Sequence, residues 1–230
     1  RIQKASATLA EGGVIDVMGK GYTSTVCPWG TSYGGAGGHG SWSGSYQGCY
    51  GSVLCPTNGG STAHNGKAGA GIVGLACAGL LAVDGRILAN GVDATSNGSG
   101  AGGSIRLSAS VLSGSGKILA CGGASVGNYY AGAGRIAIRL TEATSLSAFG
   151  GVIGVYGGFN GTAYSSAGTL YVETAADPEK AGTVTIANPA DAVTLKAGYT
   201  ADTCREAAVR ISDTFTTELY ARVTVGVSTV

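Results

Sequence analysis

The side chains able to carry chemistry in this 230-residue chain are few and scattered: thirteen acids against fourteen Lys and Arg, six cysteines and two histidines. A polysaccharide lyase or glycosidase would need clustered carboxylates, as acid and base or as calcium ligands, with a Lys or Arg beside them. The acids nearest the regular part of the chain are Asp16, Asp84 and Asp93. Asp84 precedes a turn glycine and Asp93 sits in a polar loop, which reads as turn former and solvated charge. His39 lies in GGAGGHG and His64 in STAHNGK, neither near an acid nor at metal-ligand spacing from a second His. No glycine string ends in Gly-Lys-Ser/Thr, and no Gly-Gly-x-Gly is followed by the Asp of a calcium-binding nonapeptide. The expectation is therefore no catalytic residue, no metal and no cofactor, with a carbohydrate-cleaving or carbohydrate-binding protein as the alternative.

The six cysteines, Cys27, Cys49, Cys55, Cys77, Cys121 and Cys204, are even in number and contain no CxxC pair. That favours disulfides in an oxidising compartment over zinc or a redox dithiol, with at least one bridge expected among Cys27, Cys49 and Cys55, and unpaired buried thiols as the alternative. The same region, residues 22–66, holds both tryptophans, both histidines and four tyrosines, separated by glycines. Flat aromatic faces on a loop suit a sugar or a protein partner, which makes Trp29, Tyr33, Trp42, Tyr46 and Tyr50 the candidate ligand-binding residues. The competing expectation is a lateral cover packed on the body of the protein.

Those residues need a scaffold, and glycine dominates the composition, with 43 Gly and only 4 Pro. There is no Gly triplet period, so collagen is excluded, and the regular Ile, Leu and Val between the glycines argue against a flexible linker. Charged residues are 12% and the net charge is +1, so no basic face for nucleic acid or anionic lipid is expected. Arg1 to Ala10 lacks a signal-like apolar run, and no apolar stretch is long enough for a membrane-spanning segment. The low charge and the Ser, Thr, Asn and Tyr content suit an extracellular or cell-surface protein.

The scaffold is legible as a repeat. Gly-x-Ile/Val-x-apolar-x-Gly/Asn occurs as GVIDVMG at 13–19, GRILANG at 85–91, GKILACG at 116–122, GVIGVYG at 151–157 and GTVTIAN at 182–188. In step with it run GIVGL at 71–75, GSIRL at 103–107, GRIAI at 134–138 and GTLYV at 168–172. Leu80 and Leu81, Val111 and Leu112, Leu146 and Ala176 add an apolar touch between the two. Alternation puts Ile87 with Ala89, Ile118 with Ala120, Ile153 with Val155 and Val184 with Ile186 on one side, opposite Arg86, Lys117 and Thr183. Period two at a constant spacing of about 31–35 residues predicts an all-β fold, a right-handed parallel β-helix (β-solenoid) with one coil per repeat. A β-sandwich or jelly roll is the weaker alternative.

The coils are closed by Gly-, Ser- and Asn-rich segments at 92–102, 124–133 and 159–167; the first and last contain the acceptor triplets Asn97-Gly98-Ser99 and Asn160-Gly161-Thr162. The stretch AGGSIRLSASVLSGSGKILACGG at 101–123, followed by GAGRIAIRL at 132–140, resembles the glycine-rich parallel β-helix repeats of large bacterial surface and autotransporter-like proteins. That resemblance implies secretion, adhesion or a structural role, and carries over no catalytic residue.

The expected organisation is a β-helix over 1–188, with a Cys- and aromatic-bearing insertion at 22–66, and a β-rich extension over 189–230. Gly13 and Gly85 stand about two periods apart with no clear copy between them, which is why the insertion is placed there. The extension holds a short helix near Asp202 to Val209 and then an extended run in which Val223, Val225 and Val227 alternate with polar or small residues. A terminal apolar strand needs an edge, so it either folds back or joins a second copy. The function expected is a self-associating surface, filament or matrix subunit, whose expected partner is itself, with cell-surface polysaccharide as a second candidate.

Overall fold

A computed structural model describes residues 5–22, 32–35, 37–39, 49–63, 67–96, 98–126, 129–161, 164–188 and 222–225. Trp29, Trp42, Tyr46, Cys27, Cys204, Val227, His64 and the helix expected near Asp202 lie outside these residues.

The described chain is all-β, a β-solenoid of about three turns. The long strands β4 (Ile72–Ala76), β7 (Ser104–Ala109), β11 (Arg135–Leu140) and β13 (Thr169–Glu173) stack in parallel as one wall. A second wall stacks β2 (Val14–Asp16), β6 (Arg86–Leu88), β9 (Lys117–Leu119) and β12 (Val152–Gly154). The third stacks β1 (Ala7–Leu9), β5 (Leu80–Val83) and β8 (Val111–Ser113), continued by a bridge between Gly114 and Phe149. Ile72 stands opposite Ser104, Ser104 opposite Arg135 and Arg135 opposite Thr169, so each coil is one sequence period.

Alternation decides what is inside. Ile87, Ala89, Ile118, Ala120, Ile105, Ile136, Ile138, Leu81 and Leu112 fill one continuous core, in which each Ile or Leu rests on its counterpart a coil away. Val155 joins them and Ile153 packs at their margin, while Arg86 and Lys117 point outward and are exposed. The glycine that opens each motif has a packing reason. A Cβ on Gly103, Gly134 or Gly168 would lie well inside 3.0 Å of the carbonyl oxygen of Gly71, Gly103 or Gly134 respectively, and Gly85, Gly116 and Gly151 form a second such column. Only hydrogen fits where one coil's backbone lies this close to the next.

Side chains at the turns tie coil to coil. Asp84 Oδ1 accepts from Ser115 N at 3.0 Å, Asn90 Oδ1 from Cys121 N at 2.8 Å and Asp93 Oδ1 from Ala124 N at 2.7 Å, each one coil further on. Asp16 instead accepts from Met18 N within its own turn. The candidate acids are thus engaged in turn and ladder bonds.

Two sequence expectations are corrected at the C-terminal end. The segment expected as a fifth coil strand is β14 (Thr183–Ile186), which turns back and pairs antiparallel with β13, Tyr171 opposite Val184. Val184 and Ile186 do share a face, but they pack on the outer surface of the wall with Val53, Ala137, Ala167 and Tyr171 rather than in the coil interior. The reason is the tight connection after Glu173: Asp177 Oδ2 accepts from Thr174 N and Oγ1, and Lys180 takes a positive φ of 62°, so the chain reverses instead of making another coil. Ala176 is correspondingly exposed. The last described strand, β15 (Arg222–Val225), folds back within the chain and pairs parallel with β14, placing Val223 opposite Val184 and Val225 opposite Ile186.

At the other end, β2 pairs directly with β6, Ile15 opposite Ile87. Gly13 and Gly85 are therefore one coil apart, and the excess length between them is the insertion.

Candidate functional site

The insertion leaves the coil after Val17 and returns at Gly71, whose N–H donates to the Val17 carbonyl at 2.8 Å. Between these points its described parts lie along the outer face of the long wall. Glycine again sets how closely they approach: Gly34 lies against the Gly134 carbonyl, Gly35 against Ser166 and Ala167, and Gly60 against Ala101 and Gly102. Backbone bonds lock these contacts, Gly34 N and Gly35 N donating to Ala133 O and Ala101 N to Ser61 O. Further along, β3 (Gly38–His39) pairs antiparallel with β10 (Tyr129–Tyr130), Tyr129 opposite His39, and so reaches the loop flank.

Under this cover sits the densest group of functional side chains. The positions of β7, β11 and β13 that face away from the core carry Ser104, Arg135 and Thr169 in one row. Arg135 is 2% exposed. Its Nε donates to Tyr50 O at 3.1 Å, its Nη1 donates to Thr169 Oγ1 at 3.0 Å, and its guanidinium lies 5.6 Å from the Tyr33 ring centre. Burying a guanidinium is costly unless it is bonded, and this one is bonded to the insertion and to the wall at once.

Tyr33 is fully buried, at 0% exposure. Its hydroxyl pairs with Ser104 Oγ at 2.6 Å, Ser104 Oγ donates to Asn58 O at 2.6 Å, and its ring lies 4.9 Å from that of Tyr50. Burial raises the Tyr33 hydroxyl above its ordinary value against the lowering effects of Ser104 and Arg135, so it stays a neutral donor. Tyr50 is half-buried and donates its hydroxyl to Gly59 O at 2.8 Å. Tyr22, 38% exposed, accepts from Asn58 Nδ2 at 3.0 Å. Of the described insertion aromatics, Tyr33 and Tyr50 thus spend their surfaces on docking the insertion, and Tyr22 keeps the most solvent contact.

The expected disulfides are not seen among the described residues: no bridge joins any two of Cys49, Cys55, Cys77 and Cys121. Among the described residues, polar contacts dock the insertion on the wall. Cys55 is exposed and accepts from Arg106 Nη1 at 2.9 Å, while burial raises the Cys49 thiol despite the nearby Arg135 charge. Cys121 lies on the loop flank, its thiol pushed up to about 11 by burial.

Toward the C-terminal end the same face holds a second bonded group. Arg139 Nε meets Glu173 Oε1 at 3.0 Å, Tyr171 donates to Glu173 Oε2 at 2.7 Å, and Lys180 N and Gly182 N bond to Glu173 and the Tyr171 hydroxyl. This group holds the reversal between β13 and β14. Among the described residues, no three of His, Cys, Asp and Glu come together as a metal site.

Arg135, Ser104 and Asn58 did not stand out in the sequence. An outward Arg after a strand glycine is ordinary surface chemistry until one knows that the insertion lies over it. Comparison with family models, with curated proteins and with solved structures finds no match.

Proposed function

We propose that this chain is a structural protein of the cell exterior, a rigid solenoid rod that associates with copies of itself in a surface layer, filament or matrix. The observation that carries the reading is where the polar side chains are used. Asp84, Asn90 and Asp93 each bond the backbone of the following coil, and Arg135 and Tyr33 bond a cover to the wall, so the described chemistry is spent on building a stiff stack. Parallel ladders propagate by adding strands, and β15 adds one to the long wall at the end where the coil repeat has stopped. Its second edge has no partner among the described residues, and an edge of this kind is a route to pairing with another copy. The likeness of residues 101–140 to glycine-rich repeats of bacterial surface and autotransporter-like proteins supports the same role.

The test is electron microscopy and sedimentation of the purified chain beside a truncation lacking residues 210–230. Ordered assemblies of the full chain, lost on truncation while the β signature in circular dichroism is kept, are the expected result. Monodisperse monomers in both samples would overturn self-association.

A further inference from the structure

Among the described residues, the two ends of the coil stack are stepped in opposite senses. At the N-terminal end the third and second walls begin one rung before the long wall, with β1 and β2, and the long wall begins at β4. At the C-terminal end the long wall carries its parallel ladder one rung further, to β13, while the second wall stops at β12 and the third at the Phe149 bridge. The half-buried members of the core gather at the same two places: Leu9, Ile15 and Leu75 at one end, Leu146, Ile153 and Leu170 at the other.

A step and its complement on one molecule fit two copies head to tail, and the register of each wall fixes what would meet. Val14, Arg86, Lys117 and Val152 form one column of the second wall, so Val152 falls on the next copy's Val14. These two ends of a column with a charged middle are 46% and 43% exposed. Ile153 likewise falls on Ile15. In the long wall β13 receives the next copy's β4, with Leu170 on Val73 and Val172 on Leu75 extending the inner columns. On the outer face Tyr171 falls opposite Gly74, where nothing lies within 4 Å of a Cβ position and the ring has room. In the third wall the column of Leu9, Val83, Gly114 and Phe149 brings Phe149 onto Leu9.

The described chain keeps this joint shut in two places. β14 takes the edge of β13 that β4 needs, and takes it antiparallel, against the direction of every coil strand in that wall. The corner column runs Ala5, Gly79, Ser110, Ala143 and Ala175, so Ala175 already stands on the rung that the next copy's Ala5 would enter. We propose that β14 and the turn before it are a cap, closing a head-to-tail contact in which the coil stack of one copy continues into the next. The partner is a second copy of this chain, and the contact is heterologous, so it propagates along the rod axis. The inference rests on the self-association reading and adds, to the β15 edge, a second contact that the capped chain withholds.

The experiment uses the full chain in two forms, Val14→Cys and Val152→Cys, mixed and exposed to a mild oxidant. Within one chain these positions lie three strand spacings apart, about 14 Å and beyond the reach of a disulfide, whereas across the joint they are neighbours. Each form is made with and without Val184→Asp, which puts a charge into the buried face of the cap and alters no coil residue. Peptide mapping by mass spectrometry should find the 14-to-152 link at least about tenfold more often once the cap is released. Asp177→Ala, which loosens the turn, should shift the yield in the same direction. Hydrogen-exchange protection kept in β7, β9 and β11 shows that the coils stay folded in either variant. Equal linking with the cap intact, no link in a released form with protected coils, or links between two Val14→Cys chains as frequent as 14-to-152 links, overturns the proposal. Unaltered chains that assemble and lose assembly without residues 210–230, beside released forms that never link, overturn the joint and leave the β15 edge standing.

Discussion

Two glycines of neighbouring coils, Gly103 just before β7 and Gly74 within β4, show how differently one residue type is used. A Cβ at Gly103 would run into the backbone oxygens of Gly71 and Ala70, atoms that cannot yield without moving a whole coil. At Gly74 a Cβ meets nothing within 4 Å, and no positive φ is imposed. Gly103→Ala is therefore expected to destabilise by about 1 to 3 kcal/mol through overpacking. Gly74→Ala is expected to be neutral or to stabilise by up to about 1 kcal/mol, by narrowing the unfolded ensemble. Urea unfolding of both variants checks this, and equal effects would mean that coil contact does not set the glycine column. The sequence shows that Gly103 recurs but not what it touches, because its partner is the main chain of a residue a full coil away.

Elements with a period were legible, and elements defined by a partner were not. Both Gly-x-apolar motifs became strands, and Ile87, Ile118, Ile105 and Ile136 became core, since alternation and spacing are properties of the sequence itself. The motif at 182–188 has the same alternation and still left the coil, because a four-residue turn, Thr174 to Asp177, reverses the chain ahead of it. β1 went unnoticed for want of any recurrence, and the docking of the insertion on Arg135 needed a contact across 85 residues. That docking predicts a modular response. Tyr33→Ala loses the ring contacts with Tyr50 and Arg135 and the Ser104 bond, a loss of about 3 to 5 kcal/mol for a buried aromatic. Hydrogen exchange should show protection falling across residues 49–63 while β7, β9 and β11 keep theirs. If cover and coils lose protection together, the insertion is part of the cooperative core and not a cover.

For the molecule as a whole, stability in a solenoid is close to a sum over coils and the contacts between neighbours, so a perturbation on one flank is felt in the global balance. Cys121 offers a way to read that balance through pH. Its N–H is held by Asn90 and its thiol lies against Gly154 O, between the loops of adjacent coils, where burial lifts the thiol from 9.0 to about 11. A raised pKa means that the native state holds its proton after the unfolded state has lost it. The contribution is therefore fully present below pH 9 and falls away as pH rises toward about 11. A shift of this size corresponds to about 2 kcal/mol once the partial solvent contact of the side chain is allowed for. Burial also raises Tyr33, Tyr156 and Tyr171, which push in the same direction, so the wild-type slope alone does not isolate the thiol. The comparison with Cys121→Ala does. Denaturation of the two proteins from pH 7 to 11 should show curves that run parallel up to about pH 8.5 and converge above it, as the wild type loses what the variant never had. Parallel curves throughout would place the thiol in solvent and break the link between loop stacking and the stability of the rod.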